Sequence, residues 1–114
     1  MSVMLSVFPD VFFSCDLRVG TVRSCEANRK ARKPAYVMSI DFGHEIGTRV
    51  SSAQVTDLYR ATDLVGRQVI AVVNFPPKNV AGVESQCLVL GLETERGVVL
   101  LCAERPVPDG TRVS

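Results

Sequence analysis

Tryptophan is absent from this 114-residue sequence, aromatic residues make up 6% of it, and histidine occurs once, as His44. The four cysteines, at positions 15, 25, 87 and 102, form no CxxC pair. One imidazole and scattered thiols do not match the ligand sets of zinc sites. We therefore expect no metal and no cofactor, and we expect the cysteines to be buried, reduced thiols of a cytosolic protein.

The apolar N-terminal stretch, residues 1–13, lacks the features of a targeting signal. No Lys or Arg precedes it, Pro9-Asp10 interrupts it, and no small-residue cleavage site follows it. Elsewhere, too, the sequence has no apolar run of the length that spans a bilayer. These absences predict a cytoplasmic protein without membrane insertion.

Residues for catalysis are present in no recognisable arrangement. The sequence has no glycine-rich loop of the kind that cradles phosphates. Cys25 or Cys102 with His44 would be the nucleophile and base to consider, but no spacing brings them together or marks an acid partner. The sequence therefore predicts a binding protein rather than an enzyme.

What the sequence does contain is enough apolar material for one domain. Hydrophobic residues make up 46% of the chain, and at this length folding buries roughly two-thirds of the unfolded surface. Six segments have the apolar pattern and length of strands, and one of them, Val69–Val73, is a continuous apolar run that predicts a strand buried on both sides. Between the third and fourth of them, Asp57 is a suitable N-cap for a short helix that Gly66 ends. The predicted strands are Leu17–Cys25, Tyr36–Phe42, Thr48–Gln54, Val69–Val73, Cys87–Leu92 and Val98–Cys102, and the predicted helix is Leu58–Leu64.

This order of elements predicts a mainly β fold. Three strands, a short helix and two strands are the order of the five-stranded OB-fold barrel, with one strand added towards the C-terminus. In the first strand the apolar residues change phase at Gly20-Thr21, which predicts a bulge or a sharp bend there. Residues 74–82 contain Pro76-Pro77, and we expect them to form an ordered loop.

The N-terminal segment Phe8–Cys15 is predicted to form a short helix, with Pro9 at its first position. Phe8, Val11 and Phe12 would lie on one stripe together with Cys15. So short a helix is not stable alone in water, so we expect this stripe to dock on another surface.

Positive charge is concentrated in one loop, although the net charge of the chain is +1. Arg29, Lys30, Arg32 and Lys33 lie within five residues, between the first two predicted strands. In OB-folds this loop lies at the rim that grips the backbone of an extended polymer. The cluster therefore predicts an anion-binding site, although a solvated loop would have the same composition.

Two further segments are candidates for ligand contact. Asn74-Phe75-Pro76-Pro77-Lys78 would present an apolar ledge beside a cation, held rigid by its prolines. Ser51-Ser52-Ala53-Gln54 would place small polar side chains on the third strand, where OB-fold ligands lie. Each segment would also serve as ordinary structure, as a closing loop and as strand packing respectively.

The same motifs resemble a known family, the tRNA-binding domain, an OB-fold that occurs free-standing and fused to methionyl- and phenylalanyl-tRNA synthetases. The resemblance extends from Asp16 to Gly110. One branch, the CsaA-type export chaperones, is the more similar. The motifs of the family are Asp16-Leu17-Arg18-Val19-Gly20, Asp41-Phe42-Gly43, Ser52, Asn74-Phe75-Pro76-Pro77-Lys78 and Gly82…Ser85, and those of the branch are Ala31-Arg32-Lys33-Pro34-Ala35, Ser51-Ser52-Ala53-Gln54 and Val69–Pro77.

The resemblance implies a homodimer built from the N-terminal helix, residues 1–15, and from the strands added beyond the barrel, with residues 16–114 as the OB-fold domain. It implies a chaperone that binds unfolded or presecretory polypeptide, with tRNA binding as the alternative. Family members that bind tRNA read Ser-Glu-Gly-Met-Leu where this chain reads Ser85-Gln86-Cys87-Leu88-Val89, and this difference favours polypeptide. The expected ligand-binding residues are Arg29, Lys30, Arg32, Lys33, Ser52, Asn74, Phe75, Pro76, Lys78 and Ser85, and the expected dimer contacts are Phe8, Val11, Phe12 and Phe13.

Overall fold

The computed structural model describes residues 3–114 and shows a mainly β fold. Five strands form one antiparallel sheet in the order β3-β2-β1-β4-β7, which curls into a nearly closed barrel. The predicted OB-type barrel, with a short helix between its third and fourth strands, is confirmed. The elements are α1 (Pro9–Phe13), β1 (Leu17–Ala27), β2 (Tyr36–Asp41), β3 (Thr48–Ala53), α2 (Ala61–Leu64), β4 (Gln68–Val72), β5 (Lys78–Val80), β6 (Val83–Ser85), β7 (Leu88–Val89), β8 (Gly91–Thr94) and β9 (Gly97–Leu100).

Strand β1 bends so that one end pairs with β4 and the other with β2. Its buried side chains change phase between Val19 and Val22, as predicted. The register with β2 shifts between Val22 and Ser24, however, which is beyond the predicted position at Gly20. A Cβ on Gly20 would lie 2.6 Å from Cγ2 of Ile40. Glycine is therefore needed here for close packing across the barrel, and the bulge forms later in the strand.

The core lies inside the barrel, and β2 supplies much of it. Met38 and Ile40 in this strand are fully buried, as is Phe42 just beyond it, which confirms the predicted alternation. Leu64 of α2 and Val69 of β4 are fully buried and pack in the same core cluster. Burial of each such side chain stabilises the fold by roughly 1.5–3 kcal/mol.

Helix α2 begins three residues later than predicted. Its N-cap is Arg60 and not Asp57, and the Arg60 N–H donates to Asp63 Oδ2 at 3.4 Å. Tyr59 lies before the helix, and its carbonyl accepts a hydrogen bond from the Tyr36 hydroxyl at 2.7 Å. This contact with β2 holds the segment before the helix against the barrel wall.

The chain after β4 differs most from prediction. Residues 74–82, expected to be a loop, contain β5, which forms a hairpin with β6. The predicted strand Cys87–Leu92 is divided into β7 and β8, and the next one, Val98–Cys102, is instead β9, which ends at Leu100. The division occurs at Leu90, whose N–H bonds to β4 whereas its carbonyl accepts the N–H of Leu101 at 3.2 Å. The chain therefore leaves the barrel there and continues as the β8–β9 hairpin.

The N-terminal helix is confirmed but is shorter than predicted, with Phe8 as its N-cap. None of its residues is buried. Val3, Met4, Leu5 and Val7, which precede it, are exposed as well. Within residues 3–114, neither helix is long and apolar enough to cross a membrane.

Candidate polymer-binding groove

A groove of about 800 Å³ lies where the barrel is not fully closed, between β3 and β7. Ser51–Ala53 of β3 line one side of it, and Leu88 and Val89 of β7 line the other. Val80 and Ala81, at the tip of the β5–β6 hairpin, also contribute to its wall. Most of the side chains that line the groove are aliphatic, and none of those described is aromatic.

One end of this seam between β3 and β7 is closed by hydrogen bonds to the last residue of β6 and to the residue after it. The N–H of Gln86 donates to the Val50 carbonyl at 2.7 Å, and the Gln86 side chain accepts the Val50 N–H at 2.9 Å. Ser85 Oγ accepts the Ser52 N–H at 3.2 Å. The predicted site residues Ser52 and Ser85 are thus brought together, and their bond helps to close the barrel beside the groove.

The cationic loop reaches the groove with two of its four predicted residues. Arg32 and Lys33 line the groove, whereas Arg29 and Lys30 line a neighbouring hollow of about 390 Å³. All four side chains are exposed, and within residues 3–114 no member of the cluster forms an ion pair. Their charge is therefore free to meet an anionic group.

Asn28 organises the start of this loop, and sequence reasoning missed it. It is 8% exposed, and its amide nitrogen lies 3.4 Å from Ser52 Oγ and 3.4 Å from the Val80 carbonyl oxygen. Its side-chain oxygen accepts the Lys30 N–H at 3.2 Å. One buried amide thus joins the cationic loop to β3 and to the β5–β6 hairpin. An Asn directly before the cationic run was the available signal.

Asn74, another predicted ligand residue, has both side-chain groups in internal hydrogen bonds. Its oxygen accepts the Asp16 N–H and its nitrogen donates to the Ser14 carbonyl, each at 2.8 Å. It therefore ties the end of the N-terminal segment to the chain that leaves β4. Phe75, Pro76 and Lys78 follow it; all three are exposed and lie outside the set of residues that line the groove.

Contrary to the expectation from the sequence, the four cysteines are not all buried: Cys87 is buried, Cys15 and Cys25 are partly buried, and Cys102 is exposed. Burial raises the pKa of Cys87 and of Cys25 to about 11, which keeps both protonated near neutrality. His44 is exposed and lines a different, small pocket of about 120 Å³. Among residues 3–114, no group of three or more His, Cys, Asp or Glu side chains could hold a metal ion.

Comparison with models of known protein families shows to which family this chain belongs. Residues 17–112 match the family model described as "Putative tRNA binding domain". The chain belongs to the tRNA-binding domain family. The resemblance in the sequence motifs is thereby confirmed, and the matched range coincides with the barrel and the segments that follow it.

Among solved structures, this tRNA-binding domain is similar to two described as CsaA chaperones. The one from Bacillus anthracis is 47% identical with a TM-score of 0.90, and the one from Picrophilus torridus is 40% identical with a TM-score of 0.91. Each comparison covers 96% of this chain and 100% of the other. A methionyl-tRNA-synthetase-related protein from Pyrococcus horikoshii is 33% identical, with a TM-score of 0.85, over 97% of this chain and 100% of that one.

Curated relatives include two methionine–tRNA ligases. The one from Deinococcus radiodurans is 37% identical over 105 residues, and the one from Methanococcus maripaludis is 36% identical over 104 residues. Each match covers 91% of this chain but 15% of the ligase. The similarity therefore concerns the tRNA-binding domain of these enzymes.

Proposed function

We propose that this tRNA-binding domain protein acts as a CsaA-like chaperone, which binds unfolded or presecretory polypeptide in the groove between β3 and β7 to assist protein export. The supporting observation is the lining of the groove. It is largely aliphatic and contains no aromatic side chain among the described residues. Proteins that bind single-stranded nucleic acid usually stack bases on aromatic side chains, whereas an apolar groove gains affinity by burying apolar peptide side chains.

The second candidate function is tRNA binding, and the cationic loop favours it. Arg29, Lys30, Arg32 and Lys33 carry charge without ion pairs in the described part of the chain. Such charges bind phosphates by releasing counterions from the nucleic acid. Because Arg32 and Lys33 also line the groove, we expect tRNA and polypeptide to compete for overlapping surfaces.

The proposed assembly is a homodimer formed through the N-terminal arm, residues 3–13, with residues 16–114 as the binding domain. Phe8 is 78% exposed, and Val11, Phe12 and Phe13 are each about half exposed. Soluble monomers rarely leave so many neighbouring apolar side chains in water. A second copy of the arm would cover them, and we propose that the protein works in this form in the cytoplasm, without catalysis.

A pair of matched leucines provides the test of polypeptide binding. Leu88 lines the groove and is 49% exposed, whereas Leu92 is 53% exposed and lies outside the lining. Leu88→Asp places a charge in the groove and should weaken binding of a reduced, carboxymethylated unfolded protein at least tenfold. Leu92→Asp should leave this affinity within twofold. Binding is measured by fluorescence anisotropy, and light scattering checks that both variants keep the wild-type oligomeric state.

Equal affinity of both variants would contradict the placement of the polypeptide in this groove. Absence of binding by the wild-type protein would contradict the chaperone function itself.

The same anisotropy assay with labelled tRNA tests the second candidate function, tRNA binding, separately from polypeptide binding. Replacing Arg29, Lys30, Arg32 and Lys33 by Gln should reduce tRNA affinity and flatten its salt dependence, by about 0.7 in the logarithmic slope for each single-strand phosphate that is no longer neutralised. Polypeptide affinity should change much less because it depends on apolar burial. The double variant Arg60→Gln/Arg96→Gln, which removes exposed charge elsewhere, is the control. Simultaneous binding of tRNA and polypeptide without displacement would exclude a shared surface.

A further inference from the structure

The groove between β3 and β7 carries charge of both signs. Among the described residues, the charged side chains that line it are Arg32, Lys33 and Glu93. The two cations belong to the loop that leads into β2, the neighbour of β3. Glu93 belongs to β8, which follows β7 in the chain. The two walls of the groove therefore contribute opposite charges.

The alternation of side chains along β8 directs Glu93 to the groove. Successive side chains of a strand point to opposite faces, and Gly91 and Glu93 line the groove whereas Leu92 between them does not. Val98, which lies opposite Glu93 in the β8–β9 ladder, lines the groove as well. Because Val98 also packs against the core cluster, the hairpin is held with this face towards the groove.

The carboxylate of Glu93 has no cationic partner in the described part of the chain. Glu93 is exposed, and within residues 3–114 it forms no ion pair with the cations of the groove or with Arg96 in the turn of its own hairpin. A free carboxylate accepts charge-assisted hydrogen bonds from Lys or Arg side chains. It is therefore available to a ligand that carries a cation.

From this arrangement we propose that Glu93 selects the class of polypeptide segment that the groove binds. The segment is apolar and flanked by a basic residue, which pairs with Glu93 while the apolar side chains lie on the aliphatic lining. This inference rests on the proposed polypeptide binding. Signals of presecretory proteins have this pattern, a positively charged region before an apolar run. Arg32 and Lys33 repel a basic residue from their own wall, which favours placement of the basic flank beside Glu93.

The same carboxylate acts against nucleic acid in the groove. A phosphate group beside Glu93 would meet a like charge, which weakens binding. The affinity for tRNA should therefore respond to loss of this charge in the opposite direction from the affinity for a basic, apolar segment.

Two peptides and two glutamates test the role of Glu93. The probes are labelled peptides of about ten residues with blocked ends, rich in Val and Leu and identical except for Lys or Gln at the N-terminal flank. Glu93→Gln is compared with Glu95→Gln, which removes the same charge from an exposed residue in the turn of the hairpin, outside the groove lining. Fluorescence anisotropy gives each affinity in about 0.15 M salt, where the Debye length of about 8 Å limits effects of net charge.

The expected result is a loss of preference for the basic peptide. The pair with Glu93 should favour the Lys peptide over the Gln peptide by roughly two- to fivefold, the range of exposed ion pairs. Glu93→Gln should lower the ratio of the two affinities by this factor, whereas Glu95→Gln should leave the ratio nearly unchanged. Affinity for labelled tRNA should rise more with Glu93→Gln than with Glu95→Gln.

The outcomes separate this inference from the proposed function. If both peptides bind the wild type and Leu88→Asp weakens them, but the two Gln variants give the same ratio, polypeptide binding stands and the role of Glu93 is wrong. If Glu93→Gln weakens both peptides and tRNA together, the role is structural and the inference is also wrong. If neither peptide binds the wild type, the proposed function fails and the inference fails with it.

Discussion

Replacing Asn74 by Ala separates two roles that this residue could have. The family resemblance implies a ligand contact, whereas the structure shows two internal hydrogen bonds of 2.8 Å, to the Asp16 N–H and the Ser14 carbonyl. Each such bond contributes roughly 0.5–1.5 kcal/mol. Because Asn74 is exposed and water can replace part of this contribution, we expect Asn74→Ala to lower the free energy of unfolding by about 1–2 kcal/mol. For a chain of this length, that corresponds to a fall in Tm of about 4–8 °C.

The assay is urea denaturation of the wild type and the variant, followed by light scattering over a dilution series. Loss of both bonds frees the segment that carries α1, so the variant should also dissociate at higher concentration than the wild-type homodimer that we propose. Asn79→Ala is the matched control, because the Asn79 side chain accepts a local bond from the Gly82 N–H at 3.1 Å. It should change stability without changing dissociation.

The opposite pattern would refute this reasoning. If Asn74→Ala unfolds within about 0.3 kcal/mol of the wild type while polypeptide or tRNA affinity falls tenfold, Asn74 contacts the ligand and its internal bonds contribute little.

Three further predictions test the packing, the thiols and the arm. Gly20→Ala should cost at least about 1–3 kcal/mol in urea denaturation, because the new methyl group would lie 2.6 Å from an Ile40 atom; an unchanged midpoint would contradict this packing. Cys102, which is exposed, should react with a thiol reagent at pH 8 far faster than Cys87. Because the pKa of Cys87 is raised, the folded state keeps a proton that the unfolded chain loses between about pH 9 and 11. The free energy of unfolding should therefore include roughly 2–3 kcal/mol from this thiol below about pH 9, which is lost as the pH rises through about 11. A Cys87→Ser variant with the same alkaline loss of stability would exclude this cause. Phe12→Ser/Phe13→Ser should give monomer or aggregate in light scattering, and a stable wild-type monomer at micromolar concentration would contradict the proposed dimer.

The barrel could be predicted from the sequence because its signals are local. The alternation of Met38, Ile40 and Phe42 requires a half-buried strand, and the order of strands and helix then limits the fold. The segment after β4 could not be predicted in the same way. Its path depends on contacts such as those of Gln86 with Val50, whose positions are 36 residues apart, and no local pattern of residues encodes such a contact.

In the candidate site, too, features encoded by local sequence could be predicted and those that depend on distant contacts could not. The cationic loop is a composition signal, and the structure places Arg32 and Lys33 in the wall of the groove. Asn28 is a single polar residue whose role depends on burial between three segments. The sequence alone predicts only ordinary strand residues for the aliphatic lining, because exposure of Leu88 towards a groove follows from the incomplete closure of the barrel.

The seam between β3 and β7 also has a consequence for motion. Its closed end is held by three hydrogen bonds from Ser85 and Gln86, so separating the strands there costs a few kcal/mol, less than the roughly 5–15 kcal/mol needed to unfold a whole domain. Such local opening occurs while the rest of the fold stays intact. We therefore expect the width of the groove to fluctuate, which would let one site accept side chains of different sizes and would make opening, rather than diffusion, limit the rate at which bulky chains enter.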